Sequence, residues 1–108
     1  MDNLTNDAKK LLCKIYKSYL EKRKSGISKA DANKFDSCES IHKDLVPKWI
    51  FSDVEDTCRE LSQKNFIHCS WYDNTGLNIY LTTDAISILE NRFKNNIKSV
   101  LSFIANIG

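Results

Sequence analysis

Between Thr5 and Ser25 the apolar residues Ala8, Leu11, Leu12, Ile15, Tyr16, Tyr19 and Leu20 return every three or four positions. That single stripe predicts a helix over residues 5–25. Thr5 suits its N-cap, Asp7 suits the positive end of the helix dipole, and Gly26 supplies the stop. Cys13 lies off the centre of the stripe and is expected to be partly exposed. Residues 27–36 carry no such period and read as a connector with one helical turn over 28–34. Ser37 then caps a short helix with Cys38, Ile41 and Leu45 on one face, which Pro47 ends, because the residue before proline avoids the helical region. Trp49, Ile50 and Phe51 are expected to form an extended apolar step that plugs the core. Ser52-x-x-Glu55 reads as a capping box opening the next helix. Val54, Cys58 and Leu61 face inward on it, and Asp53, Asp56, Glu60 and Gln63 face outward. Asn65 takes the left-handed turn at its exit.

From Ile67 the period changes to two. Ile67, Cys69 and Trp71 alternate with polar neighbours, as do Leu77, Ile79 and Leu81, around the turn residues Asp73-Asn74-Thr75-Gly76. From Thr83 the helical period resumes through Ile86, Leu89, Phe93, Ile97, Val100, Ile104 and Ile107. Read as one helix it is roughly 35 Å long at 1.5 Å per residue. With Leu101 and Phe103 on its other sides, it has more apolar surface than a small core can cover. A second copy of the chain is the expected cover, through Phe93, Ile97, Val100, Leu101, Ile104 and Ile107. The expectation is an α+β, mainly α domain over 1–108, with a helical core and hairpin over 1–82 and a dimerisation helix over 83–108.

Composition narrows the function classes. The net charge of +2 over 108 residues is too mild to diagnose nucleic-acid binding. Its distribution says more: Lys9, Lys10, Lys14, Lys17, Lys22, Arg23 and Lys24 crowd the first helix, and Asp53, Glu55, Asp56 and Glu60 the one after Pro47. A lysine stripe opposite an apolar stripe is ordinarily the wet side of a helix. There is no apolar run of membrane-spanning length and no signal-peptide layout, so a cytoplasmic location is expected. Cys13, Cys38, Cys58 and Cys69 form no CxxC pair and read as reduced, packed thiols. A zinc set would draw on Cys38, His42, Cys58 and His68 or Cys69, but that spacing fits no standard finger, so no metal and no cofactor are expected. Glycine-rich phosphate loops, the HExxH signature and a nucleophile–base pairing are absent, which argues against an enzyme. Phe66, Trp71, Tyr72 and Tyr80 have the chemistry to stack on a base or small ligand, but packing of the core and hairpin is their ordinary role.

Two phrases carry a resemblance: Leu61-Ser62-Gln63-Lys64-Asn65-Phe66-Ile67 at the helix exit, and Tyr80-Leu81-Thr82-Thr83-Asp84-Ala85 where the hairpin meets the last helix. Together they resemble winged helix-turn-helix proteins, specifically small YjcQ-like proteins of low-GC bacteria and, more broadly, dimeric regulators of the PadR and MarR type. Asn65 and Ala85 stand where that pattern usually has glycine. The resemblance implies a winged helix, a three-helix core plus a β-hairpin wing, and a dimeric bacterial or phage transcriptional regulator binding double-stranded DNA. Its contacts would be Ser52, Arg59, Gln63 and Lys64 on the recognition helix, Lys43 and Lys48 before it on phosphates, and Asn74 and Thr75 at the wing tip. Gln63 is then the best reader of a base edge. Singly, each of these residues also reads as ordinary solvated surface. Asp53, Glu55 and Asp56 oppose the DNA reading, because they would face a polyanion. The alternative is a protein-interaction module acting through the acidic face or through the apolar end at Leu101, Phe103, Ile104 and Ile107.

Overall fold

Residues 1–107 are described in the computed structural model. Six helices and one antiparallel hairpin follow in the order α1 (Asn6–Lys24), α2 (Lys29–Ala32), α3 (Cys38–Leu45), α4 (Phe51–Gln63), β1 (Ile67–Tyr72), β2 (Thr75–Leu81), α5 (Thr83–Phe93) and α6 (Ile97–Ala105). This is an α+β, mainly α fold, as expected. No helix among the described residues is long and apolar enough to cross a membrane.

α1 is the central element. Its Thr5 cap accepts from the Ala8 N–H, and Gly26 (φ 89°) closes the far end, where the Ile27 N–H reaches the Lys22 carbonyl. Eight of its residues are buried, including Cys13 at 0% exposure. The expected partial exposure of Cys13 is therefore corrected. α1 packs against α4 and also against α6, so the helix is enclosed well beyond one stripe. Lys22 also leaves the wet side: its ammonium bonds the Ala32 and Lys34 carbonyls and lies 4.2 Å from the centroid of Phe35.

The stretch after Pro47 differs from expectation. α4 begins at Phe51 with Ile50 as N-cap and no side-chain cap, so Ser52 and Glu55 form no capping box. The core-plugging step forms only in part: Trp49 and Phe51 pack against the core, but Phe51 does so as the first residue of α4. Trp49 and Phe51 are half-buried, and Ile50 is 69% exposed, the most exposed large apolar side chain among the described residues. His42 takes up the bend: its Nε2 pairs with the Trp49 carbonyl at 2.7 Å, and its ring packs against Phe51. Asn65 adopts the expected left-handed turn at φ 64°.

The hairpin turns on Asp73 and Asn74 alone, both at positive φ, while Thr75 and Gly76 already belong to β2. A bulge follows. His68 pairs with Tyr80 and Ser70 with Leu77, so β2 has one residue more than β1 between these pairs. Asn78, at φ 55°, absorbs it. The bulge reverses the alternation: Gly76 is buried and Leu77, expected inside with Ile79 and Leu81, pairs on the face of Ser70 and is half-buried. Ile79 also bridges Asp36, whose carbonyl accepts from the Ile79 N–H, which lends the hairpin a one-residue third strand from the segment between α2 and α3.

The C-terminal stretch is not one long helix. Lys94 and Asn95 are both left-handed (φ 52° and 59°), and Asn96 caps α6 by accepting from the Ser99 N–H. α6 folds back onto α1, and Phe103 meets Phe93 edge-on, with centroids 5.5 Å apart and the Arg92 guanidinium over the Phe103 ring. Phe93 and Val100, expected at an interface between copies, are buried within the chain; Ile97, Ile104 and Ile107 are half-buried, and Leu101 is exposed. Part of the apolar length that argued for a dimer is thus covered within the chain, and Leu101 stays open.

Candidate functional site

The α3–α4 corner and the outer face of α4 carry most of the residues singled out in the sequence. Lys43, Lys48, Ser52 and Gln63 are exposed there, and Asn74 and Thr75 are exposed at the hairpin tip. Neither Lys43 nor Lys48 pairs with a carboxylate among the described residues. Two of the expected cationic contacts are otherwise engaged. Arg59 is half-buried with its guanidinium 3.9 Å from the centroid of Trp71, tying α4 to β1. Lys64 donates its ammonium to the Asn3 carbonyl, tying the end of α4 to the N-terminal segment. Residues 66–82, the whole hairpin, contain no Lys or Arg.

Glu60, expected to be a free outward carboxylate, accepts from the Thr5 N–H at 2.8 Å and from the Thr5 hydroxyl at 2.6 Å. It thereby docks α4 on the N-cap of α1. That contact draws Thr5 and Asp7 beside Asp53, Asp56, Thr57 and Glu60, which line one open depression of about 300 Å³. Sequence reading grouped the α4 carboxylates but missed Asp7, which lies 46 residues or more before them and reaches them only through packing. Asp53 also has a local role, since a carboxylate in the first turn of a helix complements the helix dipole. Three residues before Asp53 stands Ile50, exposed at the N-cap of α4.

His42 is held by Trp49 and His68 by Ser70, and no group of three or more His, Cys, Asp or Glu among the described residues is arranged to hold a metal ion. Of the four aromatics, Phe66 is buried and Trp71 lies under Arg59. Tyr72 and Tyr80 are 59% and 44% exposed, Tyr80 being stacked on His68 at 4.7 Å. Models of known protein families give no match to the chain, and searches of curated proteins and of solved structures find no significant match either.

Proposed function

We propose that the chain is a winged-helix module that binds a protein partner through the N-terminal half of α4. The winged-helix reading is supported by the element order, by the single-residue third strand at Asp36 and by the left-handed Asn65 at the α4 exit. The observation that carries the binding mode is Ile50, 69% exposed at the N-cap of α4 and three residues before Asp53, on a helix whose one cation, Arg59, lies on Trp71. An apolar anchor beside carboxylates fits a partner segment with an apolar residue flanked by Lys or Arg. The same face repels a phosphate backbone, which supplies the largest part of DNA affinity.

The DNA-reading alternative keeps one specific observation, the exposed Lys43 and Lys48 at the same corner. Anisotropy of a labelled mixed-sequence duplex, titrated at low and physiological salt, separates the two. The expected result is no binding by the native chain even at low salt, and a gain of salt-sensitive binding in the Asp53→Lys, Asp56→Lys double variant. Salt-sensitive binding by the native chain, lost in Lys43→Glu with Lys48→Glu, would favour a regulator instead. The protein-partner reading predicts that capture of a partner is lost in Ile50→Asp while the fold, followed by circular dichroism, is kept.

A further inference from the structure

Three of the four cysteines converge beneath the hairpin although they lie far apart in the chain. Cys38 is the first residue of α3, Cys58 is in the middle of α4 and Cys69 is on β1. Gly76 reveals how close they are. A Cβ at that position would stand 2.7 Å from the Cys38 sulfur and 2.9 Å from the Cys69 sulfur, so those sulfurs are no further apart than the sum of the two distances. The glycine is needed there because any larger residue would occupy the space between the thiols and the Trp71 ring. The bulge at Asn78 is what turns Gly76, rather than Leu77, towards them.

We propose that Cys38 and Cys69 are a peroxide-oxidisable pair that forms an intramolecular disulfide joining the first turn of α3 to β1. Cys38 is the nucleophile. The neighbouring Cys58 thiol, the Gly76 backbone and the Arg59 charge hold its pKa below the ordinary thiol value despite burial and Glu55. Its place at the start of an eight-residue helix acts in the same direction. Cys58 stays a neutral thiol, its pKa raised by the adjacent Cys38 and by burial. Cys69, pushed up to about 11 chiefly by burial, is also a thiol at neutral pH, and it is half-buried where Cys38 is buried.

The Cys38 thiolate attacks one oxygen of hydrogen peroxide. An S–O bond forms, the O–O bond breaks, and the departing hydroxide takes a proton to become water. The Cys69 sulfur then attacks the sulfenic sulfur of Cys38. The S–S bond forms, the S–O bond breaks, and the hydroxyl leaves with the Cys69 proton as a second water. Two thiols lose two electrons in all, and one peroxide gains them.

The test is non-reducing peptide mapping by mass spectrometry of the folded full chain, before and after excess peroxide. The expected product is a crosslink between the Cys38 and Cys69 peptides, lighter by two hydrogens and reversed by dithiothreitol, with Cys13 still free. In Cys69→Ser, checked as folded by circular dichroism, dimedone should instead trap a sulfenic acid on Cys38. A dominant Cys38–Cys58 crosslink, a crosslink between chains, or oxidation only after urea unfolding would each overturn the proposal. The native-chain mapping depends on no variant folding and on no assumption about the partner.

Discussion

α1 and the stretch from Thr83 to Ile107 carry the same three-and-four apolar period. One folds as a single helix of 19 residues, the other as helices of 11 and 9 residues that turn back on themselves. The difference lies in the backbone rather than in the period. α1 meets no left-handed residue until Gly26, whereas Lys94 and Asn95 both take that conformation, and Asn96 then caps a new helix. Apolar spacing reports which positions are buried, and it is indifferent to whether the axis continues. Because α6 reverses, part of the apolar surface of this stretch packs within the chain, and α1 gains a second packed side.

Truncation within α1 should have the largest effect. Leu12→Ala, at a fully buried position, should cost about 2–5 kcal/mol in urea denaturation, as one cooperative loss. A change confined to part of the chain would mean that α1 is not the shared core of both halves.

High pH tests the junction between the two regions. Burial pushes the Cys13 thiol up to about 12, and burial with the nearby Glu90 raises the Tyr16 hydroxyl to about 12, from ordinary values of 9.0 and 10.0. Both groups ionise sooner in the unfolded chain, which then holds fewer protons than the folded one. Their contribution is complete below pH 9 and is lost as the pH rises towards 12. Cys13→Ala should flatten the lower part of that fall and Tyr16→Phe the upper part. Tyr16→Phe also removes the 3.0 Å bond from its hydroxyl to the Asn95 side chain across the break.

Removing the α6 cap sharpens the comparison further. Asn96→Ala should cost about 1 kcal/mol, with amide exchange rising first over residues 97–105 and later in α1. Equal acceleration in both helices would show that α6 is not a separately opening unit. Smallest is Lys94→Gly. Glycine takes the φ of 52° at the end of α5 without a Cβ clash, so a gain of under ~1 kcal/mol is expected, with unchanged protection of α6. A loss would mean that the lysine side chain, rather than the backbone, holds the break.

Much of the local architecture was legible in the residues. The caps at Thr5 and Ser37, the stop at Gly26 and the turn at Asn65 all rest on short-range chemistry. The errors were equally specific. Ser52-x-x-Glu55 matches a capping box in sequence, but the helix starts at Phe51 rather than Asp53, two residues earlier, which leaves Ser52 inside the first turn. Leu77 fits the alternation, but the Asn78 bulge turns it over. Asn95-Asn96 offered a signal for the C-terminal break, since asparagine both tolerates the left-handed region and caps helices, but the unbroken apolar period masked it.

The sequence by itself determined which residues are apolar, where helices are capped and which segment is a hairpin, because these depend on spacing and on neighbours within a few positions. Only the tertiary structure decided that Cys38 and Cys69 border Gly76, that Glu60 holds Thr5 beside Asp7, and that Arg59 lies on Trp71. Each of those contacts joins residues from different elements. Their meeting depends on how α1, α4, α6 and the hairpin close around one core, which no local period encodes.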